Sequence, residues 1–256
     1  MTRTILITGA TSGFGEATAR TFAAIGWRII ITGRRRERLE ALRHELEGLH
    51  GAAGSSVVHA LHFDVRDRAA VEQAITSLPE QWRAIDVLVN NAGLASGMDP
   101  VQTGHLDDWD RMIDTNLRGL LYVTRAVVPG MIARGHGHII NIGSIAGKEA
   151  YANGNVYCAT KSAVDALTRS MRIDLLKHRI KVSQIAPGMA ETEFSMVRYH
   201  GDADRAKAVY HGLQPLRAED IAELVRYVAL APAHVCINDL VVTPLAQANA
   251  TNVVRG

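Results

Sequence analysis

One stretch near the start constrains the fold more than any other. Thr4-Ile-Leu-Ile-Thr8 is a short apolar run with strand character. Gly9-Ala-Thr-Ser-Gly13-Phe-Gly15 is a glycine-rich turn, and Glu16 to Ile25 carries a helical pattern closed by Gly26. In that context glycines let the backbone turn tightly and approach a pyrophosphate, which then lies at the positive end of the helix. The spacing is Gly-x-x-x-Gly-x-Gly rather than Gly-x-Gly-x-x-Gly. The turn, with Gly9, Thr11, Ser12, Gly13, Phe14 and Gly15, is read as a dinucleotide-binding element of an α/β protein.

A second strand, Trp27 to Thr32, runs into Gly33-Arg34-Arg35. An acidic residue at the end of this strand would accept hydrogen bonds from an adenosine ribose; none is present. Arg34 and Arg35 suit a 2′-phosphate instead, so NADP is expected over NAD. Arginines in the first turn of the following helix oppose its macrodipole, and a local anion explains them better than a solvated helix start. Glu37 to Leu49 continues as an amphipathic surface helix, and the Gly51 to Ser56 stretch reads as a loop. Val57 to Phe63 is a strand ending at Asp64-Val65, where Asp64 fits an adenine amino group. Its other reading is to cap the helix from Arg68 to Leu78, for which Asp67 competes. Ile85 to Val89 is a further buried strand, leading into the polar, small turn Asn90-Asn91-Ala92-Gly93, which can pass close to a ligand.

The second half carries the chemistry. His138-Ile-Ile-Asn-Ile is a buried strand ending at Gly143-Ser144, and the segment from Val156 is helical. Tyr157 and Lys161 lie four apart, one above the other on that helix. A phenol of pKa about 10 exchanges protons poorly near neutrality, and a cation beneath it lowers that value toward what a general acid/base needs. Ser144 at the strand end can donate to the same substrate oxygen. Tyr-x-x-x-Lys is common on amphipathic helices, so the pair takes its weight from the nucleotide elements upstream. Asn116 lies within a helix read from Asp107 to Leu121, where asparagine is a poor helix former. It has a packing role or a task.

Bulk properties exclude other classes. The chain has 256 residues, 21% charged and 47% hydrophobic, with net charge +2. One domain, 1–256, is the simplest organisation, and no strong field for nucleic acid or anionic membrane is expected. The Arg34 to Arg38 run lacks the aromatic interleaving of a nucleic-acid reader. No apolar run reaches about 18 residues and no signal pattern opens the chain. Cys158 and Cys236 give neither a disulfide framework nor a metal spacing, so a reducing cytoplasm is the default. His136-Gly-His138 sits in a glycine turn without a third ligand, and no metal is expected.

Taken together, Thr8-Gly9…Gly13-Phe14-Gly15, Asn90-Asn91-Ala92-Gly93, Asn116, Ser144, Tyr157-x-x-x-Lys161 and Pro187-Gly188 resemble the short-chain dehydrogenase/reductases over about the whole chain. The resemblance implies a single-domain Rossmann fold, a doubly wound parallel sheet of about seven strands with helices on both faces. It implies a catalytic tetrad of Asn116, Ser144, Tyr157 and Lys161, in which Asn116 holds a relay water and Lys161 also binds the nicotinamide ribose. It adds Asn91, Ala92, Gly93, Pro187, Gly188 and Thr192 to the cofactor site, makes 189–215 a substrate lid, and implies a homotetramer. Within the family, Gly147 to Tyr151 and Ala190 to Tyr199 are similar to the NADP-dependent 3-hydroxy acid dehydrogenases acting on serine and allo-threonine. That makes the expected substrate a small anion held by Arg198 and Tyr151 beside Ser144 and Tyr157. For Arg198 a surface salt bridge is the competing reading. Sulfoacetaldehyde reductases, where the anion is a sulfonate, are similar too. A non-catalytic NADPH-binding regulator would be expected to lack the Tyr or the Lys, and both are present.

Overall fold

A computed structural model describes residues 2–49 and 57–256; the loop reading at 51–56 lies outside the described residues. Seven strands form one parallel sheet in the order β3-β2-β1-β4-β5-β6-β7. They are β1 (Thr4–Ile7), β2 (Arg28–Gly33), β3 (Val58–His62), β4 (Val87–Asn90), β5 (Gly137–Ile142), β6 (Ile180–Pro187) and β7 (Asp239–Val242). Order reverses between β1 and β4, which opens a crevice at their carboxyl ends.

The period-2 pattern of the strands explains why both faces are covered. Ile5, Ile7, Ile29, Ile31, Val87 and Val89 point to one face. There they pack against α1 (Gly13–Ala24), α2 (Arg36–Leu49) and α9 (Ala218–Leu230). The intervening Leu6, Ile30 and Leu88 point to the other, against α3 (Arg68–Thr76), α5 (Leu120–Arg134) and α6 (Asn155–Leu175). A strand buried on both faces reads as a continuous apolar run, as Ile5-Leu6-Ile7 does.

Between β4 and β5 the helix is longer than its sequence pattern suggests. α4 (Leu106–Ile113) passes through a π-helical turn, Asp114–Gly119, into α5 without leaving helical backbone. Gly135, at φ 68°, ends it. Two short helices, α7 (Phe194–Arg198) and α8 (Ala203–Ala208), occupy the segment expected to form the lid. Among the described residues no helix is long and apolar enough to cross a membrane.

Asp67, not Asp64, caps α3: its carboxylate accepts from Ala70 N at 3.0 Å. His138 lies within β5 rather than in a turn, buried and 2.8 Å from Ser183 Oγ. Lys148 and Glu149 are explained by contacts at the sheet edge. Lys148 binds Asp165 at 2.6 Å and also Asp239, and Glu149 accepts from Ala250 N.

Candidate active site

The carboxyl ends of β1, β2, β4, β5 and β6 open into one cleft of about 600 Å³. The glycine turn forms its floor. Gly9 takes φ +67°, and a Cβ there would fall 2.9 Å from the Ala92 Cα. At Gly15 a Cβ would fall 2.5 Å from both the Gly9 carbonyl and Asn91 Nδ2. Asn91 holds the turn in place, donating to the carbonyls of Thr8 and Gly9 at 2.9 and 3.2 Å. The Thr8 hydroxyl accepts from the backbone N–H groups of Asn91 and Ala92.

Of the residues expected to bind cofactor or substrate or to carry the chemistry, all line the cleft except Gly15 and Asn116. Gly15 acts by close packing beneath the turn. Asn116 is buried behind Leu94, accepting from its N–H and donating to its carbonyl, both at 2.8 Å, and donating to Thr160 Oγ1 at 3.1 Å. Asp64 borders the cleft, held by Arg66 at 2.7 Å and 3.5 Å from Arg34. Arg35 folds over the glycine turn, donating to the Thr11 carbonyl and hydroxyl and, at 2.8 Å, to Ser12 Oγ. Glycine turn, arginine donors and crevice together fit the pyrophosphate and 2′-phosphate of NADP.

At the far end Ser144, extended at φ −172°, lies beside the Tyr157 phenol, its hydroxyl donating to the Pro187 carbonyl at 3.5 Å and accepting from Ala146 N at 3.1 Å. Lys161, buried, donates to the Ile142 carbonyl at 2.9 Å, and burial brings its ammonium down to about 8. The Tyr157 phenol is buried as well. Burial pushes the phenol up; the opposing pull comes from the Arg198 guanidinium and the Ser144 hydrogen bond. Helical spacing brought Lys161 under the same helix face, but its ammonium turns to the strand carbonyl.

Arg198 is not a surface residue. Its guanidinium lies 4.8 Å from the Tyr157 ring centre, 5.2 Å from Phe194 and 5.9 Å from Tyr151. Nη2 donates to the Tyr151 hydroxyl at 2.7 Å, Nε is buried without a partner, and no carboxylate pairs with it among the described residues. Burial pushes the Tyr151 phenol up to about 12, against the pull of Arg198. Phe194 stacks obliquely on Tyr157 at 5.5 Å.

Sequence reasoning missed several residues of this cleft. Glu193 binds Arg35 and Arg38. Tyr210 donates to the Ala190 carbonyl, and Gln247 accepts from Met189 N. Arg255 donates to the carbonyls of Val209 and His211. None stands in a motif; only the chain's return over β6 brings them there.

A family model described as short chain dehydrogenase matches residues 3–202. The NADP-dependent 3-hydroxy acid dehydrogenase YdfG of Salmonella typhimurium is 51% identical over 247 residues, 96% of each chain. Sulfoacetaldehyde reductase 2 of Chromohalobacter salexigens is 49% identical over 249 residues, 97% of this chain and 96% of the relative. A solved structure of the closed form of serine dehydrogenase complexed with NADP+ superposes with a TM-score of 0.92. It is 48% identical, covering 99% of this chain and 100% of that one.

Proposed function

The chain belongs to the short-chain dehydrogenase family; from that premise we propose that it is an NADP-dependent oxidoreductase interconverting a small 3-hydroxy acid and its 3-oxo acid. The observation that carries the substrate class is Arg198. A buried guanidinium with an unpartnered Nε and no carboxylate against it is costly unless an anion completes it. A carboxylate suits its planar fork, and Tyr151 offers a hydroxyl beside it. The same cleft holds Ser144 and Tyr157, so an acid held at Arg198 presents its hydroxyl-bearing carbon to the proton-exchanging pair.

NADP, when bound, supplies the nicotinamide that accepts hydride from that carbon. Tyr157 takes the hydroxyl proton during oxidation and returns it during reduction. Ser144 holds the substrate oxygen and favours the phenolate by its hydrogen bond. Lys161, at the floor between β5 and α6, stabilises the anion that forms, and Asn116 fixes the Leu94 backbone at the wall of the cleft. Phe194 covers the phenol and excludes water. The relative named for sulfoacetaldehyde reduction favours a second reading, in which Arg198 holds a sulfonate.

The test follows NADP reduction with L-serine, L-allo-threonine, 3-hydroxyisobutyrate and isethionate. The carboxylates are expected to be oxidised. Arg198→Ala should lower kcat/KM by about 100-fold while NADPH affinity holds within a few-fold. Tyr157→Phe should cost about 1,000-fold or more in kcat without loss of NADPH binding. Preference for isethionate would move the assignment to the sulfonate; full activity in Tyr157→Phe would remove the proposed mechanism.

A further inference from the structure

Glu193 stands in the wrong place for a residue of no consequence. It follows Thr192 and opens α7, and it lines the cofactor cleft with Arg34 and Arg35. Its two carboxylate oxygens are held by two guanidinium groups. Oε2 accepts from Arg35 Nη1 at 2.7 Å and Oε1 from Arg38 Nη1 at 2.5 Å. Arg35 commits Nε and Nη2 to Thr11 and Ser12. The nitrogen left to receive an anion is Nη1, and that is the one Glu193 holds. A protein carboxylate therefore sits on the Arg35 donor that an adenosine 2′-phosphate would use, while the neighbouring arginine of the cleft, Arg34, lies 3.5 Å from Asp64 instead. Both anions cannot share that donor at close range without like-charge repulsion.

We propose that Glu193 sets the response to the 2′-phosphate. It neutralises Arg35 and Arg38 in the free protein, is displaced from them by NADP(H), and stays in place with NAD(H). The displacement is felt at the substrate end, because α7 carries Phe194 against Tyr157 and Arg198 against Tyr151. Phosphate recognition at one end of the cleft and the anion clamp at the other are thus joined through one short helix. The proposal rests on the NADP reading above.

Calorimetric titration of the wild-type protein and of Glu193→Gln with adenosine 2′,5′-bisphosphate, AMP, NADPH and NADH tests it. Glu193→Gln should tighten the bisphosphate and NADPH by about fivefold and leave AMP and NADH within about twofold. Arg38→Ala should loosen the bisphosphate and leave AMP unchanged. Because Glu193 is half exposed, the variant should keep the wild-type melting profile; Glu193→Ala provides a second variant with the same expected direction. A bisphosphate and NADPH that bind Glu193→Gln no more tightly, or AMP that shifts as much as the bisphosphate, would overturn the proposal while leaving the NADP reading intact. A wild-type protein that does not distinguish NADPH from NADH would overturn that reading and the proposal with it.

Discussion

Lys161 and His138 are both buried bases, and desolvation depresses both, to about 8 and about 3. Their surroundings differ. Lys161 faces the cleft beside Ser144 and Tyr157. His138 is wedged inside β5, with Nε2 at Ser183 Oγ and Nδ1 unpartnered, and the Lys181 charge adds to its depression. The folded pKa of His138 lies below its ordinary 6.5. The unfolded chain therefore binds more protons between those two values, and stability is held above pH 6.5 and falls as pH drops toward 3. Urea melts should show the wild-type protein losing roughly 3 kcal/mol between pH 7 and pH 4 through this one group. In His138→Asn that component should vanish; an unchanged pH slope would assign the acid sensitivity to other groups.

At the scale of elements, the π-helical turn at Asp114–Gly119 is the least expected feature. An extra residue in the turn rotates Asn116 inward, where its amide pairs with Leu94 as a neighbouring strand would. Three elements meet on that side chain: the loop after β4, the α4–α5 helix, and α6 through Thr160. Asn116→Leu keeps the branched heavy-atom skeleton and removes every one of these bonds, leaving the Leu94 N–H and carbonyl buried without partners. The expected cost is about 2–4 kcal/mol of stability, with lost hydrogen-exchange protection at the Leu94 amide. Intact protection there would show that packing alone holds the loop. A poor helix former in mid-helix was the only sign of this in the chain, and it did not distinguish a packing role from a catalytic one.

At the scale of the whole molecule, residues 244–256 cross back over the 189–215 segment and join its parts. Gln247 ties down Met189 after β6, Arg255 ties down the loop after α8, and Gly256 N donates to the Gly212 carbonyl at 2.9 Å. These contacts brace the end of the cleft at Met189 and Val209, away from the glycine turn. Arg255→Ala should therefore raise KM for the hydroxy acid several-fold, about 1 kcal/mol, with kcat and NADPH affinity within about twofold. Steady-state kinetics with fluorescence titration of NADPH decides it; an equal fall in kcat and cofactor affinity would mean that the segment supports the whole domain.

Local patterns alone determined much of this protein. The period-2 runs marked the strands, the glycine spacing marked the phosphate turn, and the four-residue interval put Tyr157 and Lys161 on one helix face. Such features are legible because backbone geometry ties residue spacing to direction over a few residues. The order of the strands, and so the crevice where Gly13, Arg35, Ser144 and Arg198 meet, came from the resemblance to a family and not from any run of residues. What only the tertiary structure decided are contacts between distant segments. They include Arg198 turned inward onto Tyr151, the Lys161 ammonium on the Ile142 carbonyl, Glu193 on Arg35 and Arg38, and Arg255 on the carbonyls of Val209 and His211. Their partners lie too far apart along the chain for any local rule to pair them. The pull on the Tyr157 phenol depends on where folding leaves each charge and how much water it removes, and spacing carries neither quantity.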